Sequence, residues 1–270
     1  VTVVAERIGF IGLGAMGSAL LKGLIDGGVD PGTMVATDAA EIKLREAAEK
    51  YGFEAAADAW AVAAAARIIF LAVKPQDMNS MLKSIAPAVT DDHLLVSIAA
   101  GVTTKDIEKH FVSKVGVIRV MPNTPCLVGA GAMAVSGGAN VRDDDLGLVA
   151  SWLEGIGMVQ VMPEKFMDAV TGMSGSGPAY IYLFIEALAD GGVLAGLPRD
   201  LAAELAAQTV LGSAKMVMET GVHPAVLREM VTSPGGTSAA GLLELEAGGV
   251  RAAVIRAVRA AAERSKELGS

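Results

Sequence analysis

The sequence predicts an α/β fold, with a doubly wound parallel sheet in the N-terminal part and a smaller all-helical domain after it. Three observations carry this. Up to Val161, short β-branched runs alternate with Ala-rich helical stretches, the rhythm of parallel strands joined by helical crossovers. Ile68-Ile-Phe-Leu-Ala-Val73 is apolar without alternation, as a strand covered on both faces must be. From Pro163 onward no strand pattern remains and only helical segments follow. The boundary is therefore expected at residues 1–162 and 163–270.

The first strand is Ile8–Ile11, followed by a helix through Leu20, Leu21 and Leu24 that ends near Gly27-Gly28. Met34–Thr37 is the next strand, and the helix from Ala40 to Tyr51 is closed by Gly52. After Ile68–Val73, the runs Leu94–Ile98, Gly116–Val120 and Ala132–Val135 continue the sheet. Beyond Pro163, the stretches Pro178–Leu194 and Pro198–Glu219 each open on proline in the first turn and end near glycine, the favoured asymmetry of helix ends. Ser238–Glu246 and Val250–Leu268 complete the series. Ile181, Leu183, Phe184, Ile185 and Leu188 occupy more than one face of their helix. A helix apolar all round must be covered, and so short a domain cannot cover it alone. A second copy of the same region is the simplest cover, so the helical part is expected to be a dimerisation domain.

Composition narrows the function. The chain has 270 residues and a net charge of −8, which argues against nucleic acid or an anionic membrane as partner. The longest uncharged stretch, Val120–Val141, contains Pro122 and Pro125 and several glycines; as a membrane span its backbone groups would go unsatisfied. One cysteine, Cys126, excludes an intrachain disulfide and a multi-cysteine metal site and suits a reducing compartment. Its expected role is small apolar packing. Val1–Glu6 is too short for a secretory leader, so a cytoplasmic location is expected. Trp60 and Trp152 read as packing residues, and thirteen methionines suit an irregular, interlocked interface.

The chemistry begins at Gly12-Leu13-Gly14-Ala15-Met16-Gly17. On its own such a run is weak, but a strand precedes it, a helix follows, and Asp38 stands at the end of the second strand, about twenty residues on. This is the dinucleotide-binding turn of a Rossmann-type sheet. Gly12 permits the tight turn, Gly14 lets a pyrophosphate approach the backbone, and Gly17 allows close helix–strand packing. The helix start supplies N–H groups to the phosphates. Asp38 can accept hydrogen bonds from ribose hydroxyls and repels a 2′-phosphate; Lys43 and Arg45 lie further on. NADH is therefore expected to be favoured over NADPH, although Asp38 could instead cap the next helix. Carboxyl ends of parallel strands face the ligand crevice, which places Ala72, Val73, Lys74 and Pro75 along the cofactor, and Ala99, Ala100 and Gly101 near the nicotinamide ribose. Lys74 is equally readable as a solvated surface lysine.

Two further glycine-rich segments precede helices, Ser174-Gly175-Ser176-Gly-Pro178 and Val231-Thr-Ser233-Pro-Gly235-Gly236-Thr237-Ser238. Glycine there lets a small ligand reach the backbone, the N–H groups of a helix start can hold an anion, and the hydroxyls of Ser233, Thr237 and Ser238 can donate hydrogen bonds.

These segments, with Val73-Lys-Pro-Gln76 and Arg119-Val-Met-Pro-Asn-Thr-Pro125, resemble pyrroline-5-carboxylate reductases along nearly the whole chain. The resemblance implies NAD(P)H-dependent reduction of 1-pyrroline-5-carboxylate to L-proline, the last step of proline biosynthesis. It implies a C-terminal helical domain interlocked with a partner, and homodimers that assemble further into decamers. It assigns substrate binding to Ser174, Gly175, Ser176, Val231, Ser233, Gly235, Gly236, Thr237 and Ser238. In that family the hydroxyl at the end of the last motif is usually threonine; here Ser238 stands there with Thr237 before it, and these two are the candidate catalytic residues.

Three other readings compete. A serine hydrolase would need a nucleophile elbow, but Gly172-Met-Ser174-Gly-Ser176 lacks its last glycine. His93, His110 and His223 pair with no serine in the sequence pattern, and no His/Cys/Asp/Glu cluster has metal-ligand spacing. A reductase of hydroxy acids or of another cyclic imine shares the fold. A protein that senses NAD(H) without turnover is the third reading.

Overall fold

The computed structural model describes residues 6–269. The expectation concerning a leader falls on Val1–Ala5 and lies outside the described residues. Eight strands form one sheet: β1 Ile8–Ile11, β2 Met34–Thr37, β3 Glu54–Ala55, β4 Ile68–Leu71, β5 Leu94–Ser97, β6 Gly116–Met121, β7 Gly131–Gly137 and β8 Gly157–Val161. Their order is β3-β2-β1-β4-β5-β6-β7-β8. Helices α1 Ala15–Asp26, α2 Glu41–Tyr51, α3 Ala59–Ala65, α4 Pro75–Ile85, α5 Thr104–Glu108 and α6 Asp143–Glu154 connect them. The chain reverses direction in the strand order at β1/β4, the switch point at which open α/β sheets bind ligands.

One strand departs from the parallel expectation. β7 runs antiparallel to β6, with Val120 opposite Val135. A parallel return needs a crossover of a dozen or more residues, and the link here is a short loop with a 3-10 turn at Thr124–Val128. β8 then returns parallel to β7, because α6 supplies the crossover. β8 and the two-residue β3 add strands beyond the predicted set.

Successive strand residues point to opposite faces, and two cores result. Ile8, Phe10, Ile68, Phe70, Val96 and Val120 pack beneath Leu20, Leu24 and Leu153 of α1 and α6. Ile11, Val35, Ile69, Leu71, Leu95 and Val117 pack against Val62 of α3 and Leu82 and Ile85 of α4. The central strands are buried throughout, which accounts for their unbroken apolar sequences. Phe10 and Phe70 stack at 4.7 Å across the β1–β4 pair.

The remaining helices are α7 Met167–Val170, a π-helical turn at Thr171–Gly175, α8 Gly177–Leu194, α9 Arg199–Thr220, α10 Pro224–Met230, α11 Thr237–Ala247 and α12 Val250–Leu268. The chain divides into two compact units, the described part of Val1–Ser176 with Ala260–Ser270, and Gly177–Arg259. The sequence places the boundary at 163, whereas the stretch to Ser176 and the end of α12 cluster with the sheet. Polar anchors explain this: Glu164 receives Thr104, and Ser265 donates to Asp168.

In the second unit only Ala189, Ala202 and Ala206 form a buried cluster. Leu183, Leu211, Met218, Leu243 and Ile255 are largely exposed. No described helix is long and apolar enough to cross a membrane.

Candidate active site

The turn between β1 and α1 has the geometry its three glycines imply. Gly12 has φ +98°, and a Cβ there would lie 2.7 Å from the Ala72 carbonyl oxygen. Gly17 is equally constrained, since its Cβ would lie 2.3 Å from the Gly12 carbonyl oxygen. Gly14 is different: nothing lies within 4 Å of where its Cβ would be. Gly14 is also the N-cap of α1, with no side chain capping the helix and no acidic residue in its first turn. Gly12 and Gly17 are glycines for the fold, whereas Gly14 leaves the helix start bare and accessible. That is the arrangement a pyrophosphate requires.

Asp38 follows β2. Its Oδ2 accepts from the Leu13 N–H at 2.5 Å and its Oδ1 from the Ala40 N–H at 2.8 Å. The carboxylate thus ties the glycine turn to the start of α2, a capping and bracing role beyond the sequence expectation of ribose binding. Gly12, Gly14, Asp38, Ala72, Val73 and Lys74 line one cleft of about 550 Å³, so the structure brings these predicted residues together. β4 ends at Leu71, two residues before the expected end; the Ala72 N–H still donates to the Ile11 carbonyl at 2.9 Å, and Ala72 and Val73 line this cleft. Lys74 is exposed and caps α4, with Pro75 at the first helical position. A separate cavity of about 490 Å³ behind α1 is lined by Lys22, Asp26, Tyr51, Cys126 and Gly155; no catalytic constellation converges on it.

Ala99, Ala100 and Gly101 follow β5 at the carboxyl edge of the sheet. Gly101 has φ +78°, and a Cβ on it would strike the Ser265 carbonyl oxygen at 2.9 Å. The loop is thereby braced by the end of α12. Thr104, at the loop's far end, donates to Glu164 through its N–H at 2.8 Å and its hydroxyl at 2.7 Å. Arg119 lies beside this brace. It is only 2 % exposed, with Nη1 3.4 Å from Glu164 Oε1 and Nη2 3.8 Å from Asp168 Oδ1. Sequence reasoning gave Arg119 no role, although a charged residue inside the apolar run Gly116–Val120 is a visible signal of a buried ion pair.

The Ser174 segment is itself helical, whereas the sequence places it ahead of a helix. The π-helical turn Thr171–Gly175 leads into α8, and the Ser176 N–H donates to the Thr171 carbonyl at 2.8 Å. Asn123 Nδ2 donates to the Ser174 carbonyl at 3.1 Å, joining the Pro122–Pro125 loop to this turn.

In the second unit, Ser233–Gly236 forms a turn with Gly235 at φ +69° and Gly236 as N-cap of α11, which has no side-chain cap. Thr237 and Ser238 are thus the first two helical residues and do not cap their helix. A Cβ at Gly236 would lie 2.3 Å from Ser233 Oγ and 3.2 Å from the Ser233 carbonyl oxygen, so a side chain there would displace the Ser233 hydroxyl. Gly235 is open, with nothing within 4 Å of its Cβ position. Val231 is 69 % exposed just before the turn.

The histidines are occupied structurally. His93 bonds Thr90 and the Ala63 carbonyl, and His110 bonds Asn79 and the Asp106 carbonyl. His223 Nδ1 accepts from the Ala225 N–H, capping the short helix α10. Burial pushes the Cys126 thiol above its ordinary pKa, only partly offset by backbone hydrogen bonds, so it is a packing group. Trp152 packs against the first core, but Trp60 is half exposed on α3. Among the described residues no group of His, Cys, Asp and Glu could hold a metal ion.

Comparison with known proteins gives the same outline. Residues 164–268 match the family model "Pyrroline-5-carboxylate reductase dimerisation", and residues 7–101 match "NADP oxidoreductase coenzyme F420-dependent". The pyrroline-5-carboxylate reductase of Methanosarcina acetivorans is 46% identical, covering 98% of both chains. That of Pisum sativum is also 46% identical, over 97% of this chain and 95% of its own. The solved pyrroline carboxylate reductase of Plasmodium falciparum, with NADP bound, superposes with a TM-score of 0.89 at 36% identity and 98% coverage of each chain. Since the likeness covers nearly the whole chain, and with it both units, the chain belongs to the pyrroline-5-carboxylate reductase family.

Proposed function

We infer that this chain reduces 1-pyrroline-5-carboxylate to L-proline with hydride from NAD(P)H, the final step of proline biosynthesis. It is an NAD(P)H-dependent oxidoreductase with a Rossmann-type domain, and it self-associates through its helical part. The observation that carries the reading is the pair of glycine-capped helix starts. Gly14 opens α1 and Gly236 opens α11, neither with a side chain on its first-turn N–H groups. Each suits an anion held by backbone: the pyrophosphate at α1, the substrate carboxylate at α11.

We assign the cofactor to Gly12–Gly17, Asp38, Ala72–Pro75 and Ala99–Gly101. The substrate goes to Ser174–Ser176, Val231, Ser233 and Gly235–Ser238. When bound, the reduced nicotinamide supplies a hydride to the imine carbon. The hydroxyl of Ser238, with Thr237 beside it, orients the imine nitrogen and donates the proton that nitrogen takes up as the C=N electron pair moves onto it, and solvent returns a proton to the hydroxyl. Functionally we retain residues 1–162 as the dinucleotide-binding domain and 163–270 as the dimerisation and substrate domain. The dimerisation model begins at residue 164, in support of that division. Assembly of dimers into decamers and a cytoplasmic location complete the proposal.

NADH is the proposed better cofactor, because the Asp38 carboxylate sits in the cleft and opposes a 2′-phosphate. One observation favours NADPH: Arg45 shares a shallow depression with Asp38, although it already pairs with Glu41 at 3.6 Å. Steady-state rates decide both matters. Oxidation of NADH on adding 1-pyrroline-5-carboxylate is expected, with kcat/KM higher for NADH than for NADPH. No turnover with either nucleotide would overturn the activity, and the reverse ranking would overturn only the preference.

A further inference from the structure

We propose that Arg119 is a positioning residue that, through Glu164 and Asp168, fixes the loop Ala99–Thr104 against the nicotinamide half of the cofactor. The inference rests on the assignment of that loop to the cofactor made above. Arg119 is almost fully buried, yet its Nε and Nη2 have no hydrogen-bond partner among the described atoms. Its closest polar contact is the long 3.4 Å approach to Glu164. A buried guanidinium so sparsely bonded adds little to stability by itself. What it does is set the places of two carboxylates.

Each carboxylate leads to one end of the same loop. Glu164 takes both donors of Thr104, so the start of α5 is held by a two-point grip. Asp168 Oδ1 takes the Ser265 hydroxyl at 2.7 Å. The Ser265 backbone in turn lies where any side chain on residue 101 would have to go, and Gly269 N stands 3.1 Å from that same point. The loop is therefore clamped at Gly101 from the end of α12 and at Thr104 from Glu164, and both clamps meet at one cation. Without that cation, Glu164 and Asp168 would be two neighbouring carboxylates with no charge between them. Repulsion would loosen both clamps together. The adenosine half of the cleft, at Gly14 and Asp38, is built from other residues and does not depend on this cluster.

This separation makes the proposal measurable by binding alone. Affinities for NADH, NADPH and ADP-ribose, which lacks the nicotinamide, are compared by calorimetry in wild type and variants. Arg119→Met is expected to weaken both intact dinucleotides about tenfold while ADP-ribose changes by less than about twofold. Arg119→Lys keeps the charge and should recover part of the loss. Thr104→Val leaves the charge cluster whole and guards against misfolding of the arginine variants; it should shift dinucleotide affinity in the same direction by a smaller factor, with Thr104→Ser restoring it. Equal losses for ADP-ribose and the dinucleotides, or unchanged dinucleotide affinity in Thr104→Val, would overturn the positioning role. If wild-type protein binds no ADP-ribose, the cofactor assignment falls first and this proposal with it.

Discussion

At the residue scale, the sharpest constraints are those a single added atom would break. Gly12→Ala must adopt φ +98° and push against the Ala72 carbonyl. The expected result is a loss of about 1–3 kcal/mol of stability by thermal unfolding together with loss of dinucleotide binding. Gly14→Ala meets no atoms of the protein and should fold normally. Its methyl group would occupy the approach to the helix start, so NADH affinity should fall with the melting temperature unchanged. The contrast between these two glycines separates fold from function. Ser238→Ala removes a hydroxyl from the second residue of α11 without touching a cap. A drop in kcat/KM for 1-pyrroline-5-carboxylate of about 10²–10⁴ is expected if it assists proton transfer. Full retained activity would leave Thr237 or solvent in that part. The glycine turn at Gly12–Gly17 was legible because its spacing between a strand and a helix states its geometry. Arg119 was visible as an oddity, but its meaning needed Glu164 and Asp168, which are distant in sequence and meet it only in the fold.

At the element scale, the sheet is pinned at its amino-terminal edge by charge as well as by apolar packing. Arg67, entering β4, reaches Asp145 of α6 at 2.8 Å, and Arg142 reaches the same carboxylate at 2.7 Å. Burial alone would raise the Asp145 carboxyl, but hydrogen bonds from Arg142 and Arg67 and their charges outweigh it and hold the pKa below its ordinary value. Because the folded pKa is depressed, the stabilisation is present above the unfolded value of about 3.9 and disappears as pH falls through the lower folded one. Asp145→Asn should therefore cost about 1–3 kcal/mol at neutral pH, and the difference from wild type should shrink in acid; urea unfolding across pH checks it. Elements with strong local signals, such as the unbroken apolar β4 and the glycine-closed α2, could be read directly. The reversed β7 could not, because strand direction depends on the length of the loop before it. β3 was too short to carry a pattern. The last helix was anticipated at its full length, yet its alliance with the sheet rests on Ser265 and Gly269 meeting Asp168 and Gly101, which no periodicity encodes.

For the whole molecule, the governing fact is the imbalance between the two units. The sheet unit has two complete cores. The helical unit has an alanine cluster and leaves its large side chains outside. Apolar area of that kind is stabilised only when covered, and the dimerisation family model over residues 164–268 matches the segment that bears it. A single charge in the exposed face, Leu183→Glu on α8, should shift the sedimenting species toward monomer and lower the melting temperature. An unchanged mass at all concentrations would argue that α8 lies outside the interface. The central claim is that a dinucleotide lies on the β1–α1 turn while a small cyclic acid lies at the start of α11. It is tested most directly by a crystal structure of the assembled protein with NAD⁺ and L-proline. The account predicts pyrophosphate oxygens on the N–H groups beside Gly14, the proline carboxylate on those following Gly236, and the nicotinamide ring against the proline ring. Proline bound away from Ser233–Ser238, or a nicotinamide ring out of reach of it, would contradict the account.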